Sequence, residues 1–305
     1  MKKRCQLPMK PPLVPVKQPQ NPHSSKPLTL QIENNLSIRV YWDSRPNYLE
    51  IAPLQKGLVL LIDDLELIEE GAGFGVPVVK YMSHTYFSSS AESWIEKNVN
   101  YYAIVKSFAL DAIARKRVGK ASYINDTVYR LFQRLFEKVY LRHKKLSFVF
   151  NKIMEFRRIL GVQTEFVKVK TKGKISIKYT FEKGIIRIHV DLADLDRADC
   201  REVLVLNEQG STFFKKYSDT TGLELFDDRI GAWEIVQAEE GSLSDNQETL
   251  KFTLSKHRES RLFRGWERTA GRFAWAGLDY SLNPNHSAFE YTIRLSSAGN
   301  PRLRT

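Results

Sequence analysis

Cysteine is nearly absent from this sequence: Cys5 and Cys200 are the only two, and the first lies in a proline-rich tail. A pair so placed makes no disulfide framework, so the fold must hold by packing, and a reducing, cytoplasmic setting is the expectation. Long apolar runs are lacking too. The longest aliphatic run, "LVLLI" at 58–62, falls far short of the roughly 20 residues a membrane-spanning helix needs. The basic opening, "MKKRCQLPMKPPLVPVKQPQNPHSSKP", is broken by prolines where a secretory signal would carry its apolar stretch. Neither export nor membrane insertion is expected.

Several chemical spacings are missing as well. No C-x-x-C, H-x-H or H-E-x-x-H occurs, so no metal is expected. No G-x-S-x-G marks a serine hydrolase, and no G-x-x-x-x-G-K-[ST] marks a phosphate-binding loop. The stretch "GAGFGVPVVKY" does place glycines at 71, 73 and 75, but an extended segment follows where a dinucleotide loop needs a helix. These glycines are expected to serve a positive φ, a bulge or a close backbone approach at a sheet corner. No cofactor is expected.

What the chain has is charge, unevenly spread. The net +12 over 305 residues includes +6 from residues 1–28, which contain no acid. Residues 98–161 carry fourteen Lys/Arg against four acids. Residues 1–28 therefore read as a disordered basic arm.

From 29 to 97 short strands alternate with turn residues, an antiparallel pattern. The block 98–161 reads as helical. Apolar residues from Val128 to Tyr140 recur at 3-4 spacing, and Val149, Ile153, Phe156 and Leu160 share a face. An earlier helix is expected at about 101–117. After Gly161 the period drops to two: Ile175, Ile177, Tyr179 and Phe181 alternate with polar residues, and Lys183-Gly184 turns the chain back. Strands continue to 297, with a tail at 298–305. The fold class expected is mainly β, an antiparallel sandwich with a central helical insertion.

Two polar groupings stand out. A buried strand, Val203 to Leu206, empties into Asn207, Glu208 and Gln209, with Tyr217 and Asp219 on the following turn. Such side chains suit the hydroxyls of a sugar, although local backbone capping would use them equally well. In "SRLFRGWER", an extended chain puts Arg264, Trp266 and Arg268 on one face and Glu267 on the other. An indole flanked by guanidiniums can stack on a pyranose and pair with a uronate; equally, arginine stems can shield a tryptophan on a sheet surface. Trp233 and Glu234 supply a further ring and carboxylate. Glu208 and Asp219 are the candidate acid–base residues, since paired carboxylates suit glycoside chemistry. Glu234 and Glu267 are further acids, with Tyr217 and Tyr280 as proton relays. His84, His189 and His286 read as surface residues. Arg130, Arg134, Lys138 and Arg142 form a basic helix ridge that could instead neutralise nucleic-acid phosphates.

The two-period strands, the "GAGFGVPVVKY" corner and the late aromatic strands resemble the galactose-mutarotase-like supersandwich. The resemblance covers 29–95 and 162–297 and implies a two-layer β fold of the kind found in sugar epimerases and polysaccharide lyases. It also implies a histidine acid and a carboxylate base, but no position here matches that pair. The expectation is a carbohydrate-binding or carbohydrate-processing protein for an anionic saccharide, its reaction undecided among hydrolysis, elimination and epimerisation. A nucleic-acid-associated protein and a non-catalytic scaffold are the alternatives.

Overall fold

The computed structural model describes residues 28–118 apart from 32–36, 43–45, 50–51, 63–64, 67–71, 83, 89, 99–100 and 111–112, and then 163–167, 170–231, 233–268 and 274–297. Two large sheets dominate. One has nine strands, running from Glu224–Phe226 at one edge through Lys216–Asp219, Glu240–Ser244, Lys251–Ser255, Ala288–Ser296, Ile185–Asp191, Lys174–Glu182 and Tyr101–Ala109 to Ser90–Asn98. The other has eight: Gln163–Val167, Ile113–Val118, Thr85–Phe87, Gly73–Tyr81, Cys200–Gly210, Ala274–Leu282, Ser260–Arg268 and Glu234–Ile235. Every pairing in both is antiparallel, as in the Cys200–Gly210 pairings to its two neighbours. Each sheet draws strands from before and after the 98–161 block, so the early and late β segments share both layers.

The core lies between the sheets because each strand alternates. Ile175, Ile177 and Tyr179 are buried on one sheet; Val203, Val205 and Leu278 are buried on the other. The hairpin read from Lys183-Gly184 forms as expected, with Gly184 at φ 67°. A small sheet of Leu28–Gln31, Ser37–Tyr41, Val59–Ile62 and Leu65–Glu66 adds Leu30, Val40 and Leu60 to the same core, and Leu58, bridged to Phe74 just before its third strand, joins them.

The helix expected at 101–117 does not form. Tyr101–Ala109 and Ile113–Val118 are strands in different sheets. The alternation was obscured by Lys106, which stands in the inward row between Ile104 and Phe108 and faces Ile177 in register. Its ammonium is fully buried and donates to the carbonyls of Trp42, at 3.1 Å, and Lys56. A charge so placed is tolerable because carbonyl oxygens replace its lost water. Among the described residues no α-helix occurs; Asp227–Ile230 is a single 3-10 turn. The helices expected at 126–140 and 149–160, and the arm 1–28 before its last residue, lie outside the described residues.

The glycine corner is a bulge. The register of Gly73–Tyr81 against Cys200–Gly210 passes from Val76↔Leu206 to Phe74↔Asn207, leaving Gly75 as the extra residue. Gly75 and Gly73 take φ of +73° and +86°, where a side chain is strained. A Cβ on Gly75 would stand 2.9 Å from the Tyr179 hydroxyl. Gly75→Ala is accordingly expected to cost about 2–3 kcal/mol through strain and displacement of Tyr179. Urea unfolding measures this, and an unchanged midpoint would contradict the packing described.

Candidate functional site

The strand Cys200–Gly210 divides the polar run between two faces. Successive side chains of a strand point to opposite sides. Here Val203, Val205, Asn207 and Gln209 are fully buried between the sheets, while Glu202, Leu204, Leu206 and Glu208 share the outer face. The expectation that Asn207, Glu208 and Gln209 converge on one sugar therefore fails.

Asn207 has no bonding capacity to spare. Its Oδ1 accepts from the Gly75 N–H at 3.1 Å and from the Tyr291 hydroxyl at 2.7 Å. Its Nδ2 donates to the Leu278 carbonyl at 3.0 Å and to that of Val205 at 3.4 Å. Two acceptor and two donor positions are all a carboxamide has. Because Tyr291 belongs to the nine-stranded sheet, Asn207 clasps the two layers at the bulge. Tyr179 does the same from the nine-stranded side, donating to the carbonyl of Phe74 at 2.9 Å.

On the outer face, Glu208 meets a group the sequence reading passed over. Asp279 projects from Ala274–Leu282, and its Oδ1 accepts the Asn207 N–H at 2.7 Å. Gly277 stands opposite Glu208, and Gly265 opposite Gly277. This glycine pair makes a floor for the Trp233 indole: a Cβ on Gly265 would lie 2.5 Å from the ring, and one on Gly277 would lie 3.0 Å from Glu208 and 3.1 Å from the ring. Trp233 has φ of 59°, and its Nε1–H donates to the Glu267 carboxylate. Trp275, opposite Glu267 in register, adds a second partly exposed ring on the same face.

Two carboxyl groups, Glu208 and Glu267, thus stand at one indole, and Asp279 acts electrostatically on the first. Burial raises the Glu208 carboxyl well above the ordinary range, and the charges of Asp279 and Glu267 push the same way against one bond from the Ala72 N–H. Burial likewise pushes Asp279 up to about 8, with the Asn207 N–H opposing and Glu267 reinforcing. Carboxylic acids that stay protonated near neutral pH can donate hydrogen bonds or protons. Among the described residues no cluster of His, Cys, Asp and Glu is arranged to hold a metal.

The other expected site residues lie elsewhere. Asp219 caps a turn on the nine-stranded sheet. Burial works against its charge, but bonds from Thr221, Tyr217 and Leu223 hold its carboxyl below the usual range. Glu208 and Asp219 thus stand on different sheets and form no acid–base pair. Tyr217 is buried and donates to Asp219 at 3.1 Å. Arg264 and Trp266 do share a face opposite Glu267, but that face is the interior. The Arg264 guanidinium lies 5.0 Å from the Tyr217 ring centre and bonds to the Ile230 carbonyl and to Glu234, both at 2.9 Å. It is occupied by protein groups rather than presented to a uronate. The backbone of Arg268 pairs with Ala274. Tyr280 donates to the Ser255 carbonyl at 2.5 Å inside the core. Arg130, Arg134, Lys138 and Arg142 lie outside the described residues.

Fold and site together define an all-antiparallel β-sandwich with an acid cluster beneath an indole on one outer face. No protein-family model and no curated protein matches the sequence. Among solved structures, the chain is similar to the α-N-acetylgalactosaminidase NagBb from Bifidobacterium bifidum in complex with GalNAc, with a TM-score of 0.48 and 6% identity over 90% of this chain and 36% of that one. The ligand-free form of that protein gives a TM-score of 0.41 at 6% identity, over 88% and 35% of the two chains. The Slr1438 protein from Synechocystis sp. PCC 6803 gives 0.34 at 9% identity, over 90% and 97%. The chain spans about a third of the length of the galactosaminidase. No helix among the described residues is long and apolar enough to cross a membrane.

Proposed function

We propose that the protein binds a saccharide on the outer face of its eight-stranded sheet and acts on it through Glu208. The observation that carries this reading is the placing of Glu208 and Glu267 against Trp233, with Asp279 acting electrostatically on Glu208. A pyranose presents C–H groups that pack on an indole face and hydroxyls that need both donors and acceptors. Trp233 and Trp275 offer the rings. Glu267, already accepting from the indole, offers a further acceptor oxygen. Glu208, its carboxyl raised well above the ordinary range by burial, is suited to donate to a ring, hydroxyl or glycosidic oxygen, which is the part of a general acid. Burial is the main cause that keeps Glu208 protonated, and Asp279 behind it adds to this once it ionises. Of the residues first picked from the sequence, Glu208, Trp233 and Glu267 remain in this site.

The test is glycan binding and turnover by the full chain, with Glu208→Gln and Trp233→Ala alongside. Gln keeps the volume and hydrogen-bonding ability of the protonated acid but has no proton to transfer. Glu208→Gln is expected to bind within a few-fold of the parent and to lose turnover by roughly 100-fold or more. Trp233→Ala is expected to lose about tenfold or more in affinity through the missing ring face. A parent protein that binds no glycan, or a Glu208→Gln variant with undiminished turnover, contradicts the reading.

A further inference from the structure

Inside the sandwich, at the end where Cys200–Gly210 stops, buried polar atoms remain without a protein partner: both amide atoms of Gln209, the Ser211 hydroxyl and the Trp266 indole N–H. Gln209 is 0%, Ser211 2% and Trp266 7% exposed. The register sets Gln209 opposite Ala276 and Ala276 opposite Trp266 on the inward face, so the amide and the indole flank a side chain no larger than a methyl group. Ser211 stands two residues beyond Gln209, where the chain turns with the Phe213 and Phe214 N–H groups on the Gly210 carbonyl. Asn207, two residues before, has every amide position bonded.

The contrast needs a physical reason. A buried donor or acceptor left unmade loses its hydration with nothing in return, and native interiors leave few such groups in one place. The unpartnered set is complementary to hydroxyl groups. Trp266 only donates, the Gln209 oxygen only accepts, its nitrogen donates, and Ser211 does either. An occupant must therefore donate and accept, which a simple anion or cation cannot do. No charged side chain stands in the Gln209–Ala276–Trp266 row. The neighbouring inward charge, Arg264, is engaged by Ile230 and Glu234.

We infer that Gln209, Ser211 and Trp266 form an internal site for a hydroxyl-bearing occupant, ordered water or a small polyol, between the two sheets. The site lies on the opposite side of the strand from Glu208 and stands independently of the saccharide reading.

The sign of one stability change tests it. Gln209→Met keeps the side-chain volume and removes both polar atoms. If an occupant bonds to the amide, its loss lowers the melting temperature of the full chain by roughly 3–6 °C in polyol-free buffer. If the amide is merely desolvated, the apolar replacement leaves the melting temperature unchanged or raises it, and the inference is overturned. Should Gln209→Met fail to fold, Ser211→Ala is read with the same sign. The Trp266 indole N–H, assigned in NMR spectra by its disappearance in Trp266→Phe, separates the sources. A saturable shift on glycerol titration assigns a polyol, and a fixed resonance together with the lowered melting temperature assigns water.

Discussion

Asp279→Asn is expected to gain on the parent as pH rises, its relative stability at pH 8 exceeding that at pH 5 by about 2 kcal/mol or more. In the parent, the folded Asp279 carboxyl is pushed up to about 8, mainly by burial, whereas in the unfolded chain it ionises in the ordinary carboxylate range. Between those limits the folded state holds a proton that the unfolded state has released. Stability from this group is therefore complete below the ordinary range and declines as pH rises towards 8. Each proton so held tilts stability by about 1.4 kcal/mol per pH unit, a ceiling that relaxation of the site reduces. Asparagine never ionises, and its Oδ1 can still accept the Asn207 N–H. The variant should show a flatter profile, with Glu208 supplying the slope that remains. Urea unfolding at pH 5, 6.5 and 8 measures the difference. Parallel profiles for parent and variant would show that Asp279 ionises normally in the fold.

Asn207→Ala should produce the largest loss of any single substitution considered. It removes four hydrogen bonds and leaves the Gly75 N–H, the Leu278 carbonyl and the Tyr291 hydroxyl without these partners in the buried interior. Each stranded group costs its own desolvation, so the sum reaches about 3–5 kcal/mol and lowers the melting temperature by roughly 10 °C. Tyr291→Phe removes one partner only and should cost about 1–2 kcal/mol. Because the two act on one bond, the double variant should lose clearly less than the two single losses together. Strict additivity would mean the clasp is not a unit. If Asn207 were instead a ligand contact, its replacement would weaken binding and spare stability.

Period-two alternation made the sandwich readable. Ile175, Ile177 and Tyr179 are buried as their spacing requires, and Phe289, Tyr291, Ile293 and Leu295 repeat the pattern. Alternation fails as a guide where one residue contradicts its row. Lys106 in the inward row hid a strand, since nothing local announces two backbone carbonyls from a distant segment. The site was half legible. Glu208 was visible as an acid at the end of an apolar strand. Its neighbours in sequence, however, belong to the other face, and strand geometry already separates 207 and 209 from 208. Asp279 was overlooked, although a lone acid in "FAWAGLDYSL" is an apolar strand's one charge. Gly265 and Gly277 gave no sign of facing each other, because register is a long-range property. Trp233 reaches the site through a loop whose path the sequence does not set.

The most direct measurement is a ¹³C side-chain carboxyl titration of the full chain, with the Glu208 and Asp279 resonances assigned through Glu208→Gln and Asp279→Asn. The account predicts that both carboxyls still carry protons at pH 6.5, while Asp219 has already ionised. Release of both protons below pH 5 would leave no neutral acid beside Trp233 and would contradict the account.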